Sequence, residues 1–332
     1  MHSIENALKE RILVLDGAMG TMLQKYGLTE EDFRGKELKD HPQSLKGNND
    51  LLSITQPQIV KEVHRQFLEA GADIIETNTF SATTIAMADY GMENWVYELN
   101  FQSAKIAREV ADEFTAQNPQ KPRFVAGSIG PTNKTASLSP DVNQPGFRAI
   151  TFDELKIAYK EQVNALIDGG VDVLLVETIF DTLNAKAALF AIEEVKEERN
   201  VSLPIMVSGT ITDASGRTLS GQTVEAFLIS LSHLPLLTIG FNCALGAQQL
   251  HPYLQRLSNM ATCGISAYPN AGLPNAFGEY DETPATMCSH VHPYLADGLV
   301  NIIGGCCGTT PEHIREIAQE AAKFQPRQLI TA

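Results

Sequence analysis

Basic charge is scarce in this 332-residue chain: 25 lysines and arginines stand against 40 aspartates and glutamates, for a formal net charge of −15. The acids are scattered instead of gathered in a tail, so the chain offers no basic face to nucleic acid or to an anionic membrane surface. Long hydrophobic runs are also missing. No apolar stretch approaches the roughly 18 to 20 residues that cross a bilayer, and no basic-then-apolar leader opens the sequence, so the expected setting is the cytosol. Cysteine is sparse and odd in number, five in all with Cys306 and Cys307 adjacent. That count argues against a framework of structural disulfides and favours metal binding or reactive thiols. The glycine-rich DGAMGT stretch (Asp16 to Thr21) lacks both the spacing of a dinucleotide fingerprint and the lysine of a phosphate loop, which removes a phosphate-binding reading.

What the chain does have is ordinary globular composition, 43% hydrophobic and 20% charged, enough apolar material for one large domain over residues 1–332. Eight short runs rich in Val and Ile read as strands: Ile12 to Leu15, Asp73 to Glu76, Phe124 to Ala126, Val171 to Val176, Ile205 to Ser208, Leu237 to Phe241, Gly264 to Ala267 and Leu299 to Ile303. Between them lie stretches of helical period. One of these, through Leu155, Ala158, Tyr159, Val163, Leu166 and Ile167, is opened by the capping-box pair Thr151 and Glu154. Thr283-Pro284 and Thr310-Pro311 fit an N-cap followed by proline at the first helical position. Continuous apolar strands alternating with amphipathic helices imply a buried parallel sheet.

Periodicity alone does not separate a closed barrel from an open doubly wound sheet, but loop placement helps. Irregular Gly/Pro-rich stretches follow the first strand (Lys25 to Gln58), the third (Thr132 to Thr151), the fifth (Thr210 to Thr223) and the seventh (Pro269 to Thr283), whereas most returns from helix to strand are brief. Elaboration at the carboxyl ends of the strands is the habit of (β/α)8 TIM-barrel enzymes, and that is the expected fold.

The residues at those strand ends are polar or glycine: Asp16-Gly17, Glu76-Thr77-Asn78, Gly127-Ser128, Glu177-Thr178, Gly209-Thr210, Asn242-Cys243, Tyr268-Pro269-Asn270 and Gly304-Gly305-Cys306-Cys307. Any one of them could simply cap the helix that follows. Cys243 ends the sixth strand and Cys306-Cys307 the eighth, and alternate strands share layers inside a barrel, so three sulfurs can converge. Three thiolates suit Zn²⁺, with a fourth tetrahedral position left open for substrate. Gly304 and Gly305 would let the backbone bend so that both cysteines face one metal. Spacing alone carries little here, since there is no CxxC pair and buried cysteine is commonly a small hydrophobe. Cys263, at the start of the seventh strand, and Cys288, in a helix, take that bland reading. So do His64, His251, His290, His292 and His313, which fall in helical segments; no histidine lies at a strand end to complete a mixed His/Cys site or a catalytic triad.

The stretches LDGAMGT (Leu15 to Thr21), ADIIETNTF (Ala72 to Phe80), VETIFDTLNAKAA (Val176 to Ala188), FNCALG (Phe241 to Gly246) and GGCCGTTPEHI (Gly304 to Ile314) resemble the homocysteine S-methyltransferase family. Within it, DFRGKEL (Asp32 to Leu38), KGNNDLL (Lys46 to Leu52), GTITDASGRTLSGQT (Gly209 to Thr223) and PNAGLPNAFGEYD (Pro269 to Asp281) resemble the homocysteine-binding module of cobalamin-dependent methionine synthases. The resemblance spans nearly the whole chain. It implies a barrel, zinc on Cys243, Cys306 and Cys307, and homocysteine as methyl acceptor, with Asp16, Gly17 and Glu177 at positions that hold the amino acid. Ser128 and Asn270, at the ends of the third and seventh strands, complete the candidate substrate shell. The implied donor is methylcobalamin, brought by cobalamin-binding and folate-binding modules in the same chain or another, since none follows Ala332. A transferase using S-methylmethionine or betaine, and a structural zinc or redox site, are the rival readings.

Overall fold

The structure is a computed structural model describing residues 3–212 and 215–330. Its strands are β1 (Leu13–Val14), β2 (Ile74–Glu76), β3 (Phe124–Ile129), β4 (Val173–Ile179), β5 (Ile205–Gly209), β6 (Thr238–Gly246), β7 (Gly264–Asn270) and β8 (Ile302–Ile303). They form one sheet in the order β1-β8-β7-β6-β5-β4-β3-β2, with every pairing parallel. Leu15 bridges Ile74 in parallel and the Asp16 N–H donates to the Ile74 carbonyl at 3.0 Å, so the two ends of the sheet meet and the ring closes. The expected (β/α)8 barrel is borne out.

Strand alternation builds two cores. In β3, Phe124 and Ala126 point to the barrel axis with Leu13, Leu15, Ile74, Val173, Leu175, Met206, Tyr268 and Ile302. Val125 and Ile129 face outward into the larger core beneath the helices. The helix Ile4–Glu10, capped by Ser3 at the Asn6 N–H, adds Ile4, Ala7 and Leu8 to the inner cluster. Its neighbours there include Leu13, Ile74, Phe124 and Val173, the first residues of their strands, so this helix plugs the amino-terminal end of the barrel.

The helices begin where the sequence indicates. Thr151 and Glu154 form the reciprocal box that opens Phe152–Asp168, Thr283 caps Pro284–Ala296, and Thr310 with His313 caps Pro311–Ala321. Two expectations need correction. β3, β4, β6 and β7 run on to Ile129, Ile179, Gly246 and Asn270, so Asn242-Cys243 and Tyr268-Pro269-Asn270 lie within strands and not after them. Gly127-Ser128 and Glu177-Thr178 likewise lie inside β3 and β4. A polar side chain ends an apolar run without ending the backbone ladder, which continues through Asn242↔Tyr268 and Gly246↔Asn270. Nor is Lys25 to Gln58 irregular: it holds the short helices Glu30–Arg34 and Leu52–Thr55, and the barrel helix Pro57–Ala70 starts inside it. Helices this short carry no readable period. The stretch is stitched instead by the Glu30 carboxylate, which accepts from the Leu45 N–H at 2.9 Å, the Lys46 N–H at 2.8 Å and the Ser44 hydroxyl at 2.8 Å. Within Thr210 to Thr223, residues 213–214 lie outside the described residues, as do 1–2 and 331–332 of the expected domain.

Because Leu8 is 6% exposed and packs into the barrel floor, Leu8→Ala is expected to cost about 2 to 5 kcal/mol of stability. Urea unfolding of the two proteins measures it.

Candidate active site at the carboxyl end of the barrel

A cavity of about 1030 Å³ opens among the loops at the carboxyl ends of the strands, with Asp16, Glu76 and Glu177 on its lining together with Cys243, Cys306 and Cys307. A second cavity, of about 1090 Å³, lies around Leu8, Met260, Cys263 and Arg327 at the opposite end and contains none of these groups.

The three sulfurs lie within 4.8 Å of one another, the one such metal-ligating group among the described residues. Cys243 Sγ and Cys307 Sγ are 3.7 Å apart. Zinc–thiolate bonds of about 2.3 Å at tetrahedral angles require sulfurs about 3.8 Å apart, so this edge fits a zinc ion. Backbone strain aims Cys243: it and Ala244 have φ of 58° and 54°, in the left-handed region, where the β6–β7 register shifts between Asn242 and Gly246. Such conformations are uncommon outside glycine and concentrate at functional sites. Cys306 and Cys307 are held by the backbone of β7. The Cys306 N–H donates to the Pro269 carbonyl at 2.9 Å and the Cys307 N–H to Asn270 Oδ1 at 3.1 Å.

Gly304 and Gly305 play a different part from the one expected. Neither has a left-handed φ. A Cβ on Gly304 would lie 2.7 Å from Leu15 Cβ, and one on Gly305 2.6 Å from Thr309 Oγ1, so they are glycine because the loop presses against its neighbours. The left-handed turn comes at Gly308, φ 80°, packed on Tyr280.

Thiol donation from Cys243 and Cys306 holds Cys307 down at about 3, outweighing burial. Cys243, despite receiving a hydrogen bond from Cys306, is pushed up to about 11 by its own donation to Cys307 and by burial. Cys306 is driven well above the usual thiol range by donation to both neighbours and by burial. Left to itself the cluster carries one thiolate; all three ionise together only beside a cation. That donor set fits a soft divalent metal.

The carboxyl groups show the same frustration. Burial raises Asp16 and Glu76 well above the ordinary range, helped by the neighbouring Glu177 charge. It lifts Glu177 to about 7, against hydrogen bonds from Ser128, Glu76 and Tyr268. The Ser128 hydroxyl donates to Glu177 Oε1, and the Tyr268 hydroxyl to Oε2 at 3.5 Å. Asp16 Oδ2 accepts from the Glu76 N–H at 3.1 Å, while Asp16 Oδ1 is buried with no partner. The unpartnered Asp16 oxygen beside two further acids leaves a buried acceptor that a small cation would satisfy.

The fully buried Asn242 joins the two halves. Its Oδ1 accepts from the Ser208 hydroxyl at 2.7 Å and the Thr178 N–H at 3.1 Å, and its Nδ2 donates to Thr178 Oγ1 at 2.8 Å and to Cys306 Sγ at 3.8 Å. Thr178 has φ 53° at the β4–β5 register shift, so it too is strained.

The structure thus brings together Cys243, Cys306, Cys307, Asp16, Glu177 and Ser128 around one cavity. Gly17 also lines it, with no room for a side chain between Thr309 and Phe67. Asn270 is buried with its amide oxygen engaged by the Cys307 N–H. Cys263 lies at the other end, and Cys288 sits in Pro284–Ala296 with its thiol on the Glu316 carbonyl at 3.6 Å. Glu76, Tyr268, Asn242 and Thr178 went unchosen by the sequence reading. Glu76 had a usable signal, since it ends its strand on the same inward phase as Glu177; the other three are recognisable only from their contacts.

The closed parallel barrel thus carries, on one cavity at the carboxyl ends of its strands, a three-cysteine group that could hold a metal ion and a carboxyl cluster, the placement of an active site in barrel enzymes. Residues 13–321 match the family described as homocysteine S-methyltransferase, and the chain belongs to that family. It is similar to the metallated form of the homocysteine methyltransferase MmuM from Escherichia coli, at 26% identity and a TM-score of 0.71 over 94% of this chain and 96% of that one. The oxidized form of MmuM aligns at 25% identity and a TM-score of 0.72, over 93% and 95%.

Since the fold raises Glu177 from 4.5 to about 7, its protonated form is the favoured one. Its contribution to stability is full below the unfolded value and is lost as pH rises through the folded one. Unfolding midpoints of metal-free, ligand-free protein should therefore show Glu177→Gln gaining on the wild type between pH 4.5 and about 7; a gap that stays constant with pH would remove Glu177 from the proton-sharing cluster.

Proposed function

We propose that this chain is a zinc-dependent homocysteine S-methyltransferase module whose methyl donor is methylcobalamin, presented by a cobalamin-bearing module or protein. The observation that carries the reading is the pairing of clusters in one cavity: three sulfurs for a metal and three acids for an ammonium. An α-amino acid with a side-chain thiol is the molecule that answers both.

Cys243, Cys306 and Cys307 would hold the zinc ion. When bound, zinc supplies the Lewis acidity that removes the proton from the homocysteine thiol at neutral pH, a thiol otherwise mostly protonated at a pKa near about 8.5. Asp16 and Glu177 take the substrate ammonium, which compensates the burial that otherwise keeps them protonated. Ser128 and Tyr268 orient the Glu177 carboxylate, and strand-end N–H groups, that of Gly17 among them, receive the substrate carboxylate. Before substrate enters, the fourth metal position falls to water or to a neighbouring side chain such as Asn270, whose amide oxygen now accepts from the Cys307 N–H. These residues would hold the homocysteine sulfur toward the cavity mouth, where methylcobalamin would supply the methyl group: the sulfur–carbon bond would form as the carbon–cobalt bond broke, its electron pair staying with the cobalamin and methionine being the product.

Replacing Cys243, Cys306 or Cys307 by serine should abolish methionine formation and greatly weaken zinc binding, because a hydroxyl is a poor substitute for a thiolate on this metal. Zinc content and circular dichroism separate loss of metal from loss of fold, and Cys263→Ser and Cys288→Ser should retain both metal and activity. Full activity in a zinc-free Cys306→Ser protein would overturn the metal assignment.

The donor is tested by incubating the purified chain with homocysteine and each methyl source in turn, and measuring methionine. Free methylcobalamin should serve slowly, for want of the positioning a docked donor would bring. A cobalamin-loaded partner should raise the rate with the zinc requirement unchanged, and methyltetrahydrofolate alone should be inert. Efficient turnover with S-methylmethionine or betaine, and none with methylcobalamin, would replace the donor while leaving the zinc and homocysteine assignments standing.

A further inference from the structure

Thr178 touches no sulfur in the contacts the structure records, yet it is tied to one through a single side chain. Asn242 is fully buried, and both ends of its amide are committed. Its oxygen takes the Thr178 N–H and the Ser208 hydroxyl, while its nitrogen is shared between Thr178 Oγ1 at 2.8 Å and Cys306 Sγ at 3.8 Å. The geometry points to Asn242 as a positioning residue that couples the strained backbone at Thr178, next to Glu177, to the Cys306 sulfur, so that the carboxyl half and the sulfur half of the cavity are set as one unit. This rests on the proposal that the three cysteines hold zinc.

An asparagine amide can do this because it offers an acceptor and two donors in one rigid plane. Thr178 and Cys243 are both held at left-handed φ, 53° and 58°, and Asn242 is hydrogen-bonded to the first and covalently next to the second. If Thr178 loses its hydroxyl, the Asn242 nitrogen loses its shorter acceptor, and its direction toward Cys306 is set only by the two contacts to the amide oxygen. A hydrogen bond donated to a metal thiolate orients the ligand, and removal of such outer partners typically lowers metal affinity about 10- to 100-fold. The consequence specific to this arrangement is that a residue on β4 governs metal binding by one cysteine within β6 and two after β8.

The experiment measures zinc affinity by competition with a chromogenic chelator, and the visible spectrum of the cobalt(II)-loaded protein, for wild type, Thr178→Ala, Thr178→Ser, Asn242→Ala and the Thr178→Ala/Asn242→Ala double variant. Cys306→Ser is included for reference. Thr178→Ala should weaken zinc binding several-fold and shift the cobalt bands, whereas Thr178→Ser, which keeps the hydroxyl, should match the wild type. Once Asn242 is alanine, removing the Thr178 hydroxyl should change nothing further, as coupled sites require. Because Asn242→Ala empties a fully buried position, loss of fold is a separate route to its effect, and the alanine and serine pair at Thr178 decides the matter alone. Wild-type zinc affinity and spectrum in Thr178→Ala would overturn the coupling while leaving the metal site intact. Zinc binding by the wild type that does not depend on Cys306 would instead overturn the metal reading and the coupling with it.

Discussion

Like charges crowded in a poorly hydrated space cannot all ionise, and the carboxyl end of this barrel is arranged around that constraint. Three thiols and the carboxyls of Asp16, Glu76 and Glu177 share, with three further acids, a cavity whose lysine, Lys25, is exposed. The protein alone can keep only part of this set charged, which is why one sulfur is held as thiolate at the expense of the other two. The acids retain protons well above the pH at which exposed ones release them. A site of this kind is an unfinished electrostatic structure, completed by cations from outside. It has two separate deficits of positive charge, one lined with sulfur and one with oxygen.

Holding such groups together needs a backbone that departs from regular geometry at the right residues and a scaffold that keeps it there. The departures are local: left-handed φ at Thr178, Cys243 and Ala244, each beside a break in strand register. The scaffold is the rest of the barrel, where β3 is buried along its whole length and the helix Ile4–Glu10 fills the floor. Strain at the rim and close packing below it are parts of the same design, since only a stiff ring can impose uncommon torsions on the residues that leave it.

The barrel and the meeting of Cys243 with Cys306 and Cys307 were legible in the sequence because both depend on order along the chain: apolar runs fix where strands are, and strand position fixes which ends are neighbours. What was not legible depends on the far side of a contact. Asn242 looks like any polar residue after an apolar run until Thr178, Ser208 and Cys306 are seen around it. Glu76 reads as a helix cap until Asp16 and Glu177 stand beside it. Gly304 and Gly305 invite an explanation from their own torsions, whereas the reason lies in Leu15 and Thr309 pressing on them. The segment after β1 carries helices of four and five residues that no periodic pattern could announce.

The helix across the floor also makes the barrel a blind-ended tube. A small molecule seated against Glu177 and a second reactant that must reach it share one doorway, so traffic through it is a queue. On the proposed reaction, the inner guest would enter first and stay until the outer one had withdrawn. Departure of the spent methyl donor would then pace turnover together with the chemistry, and the innermost product would leave last.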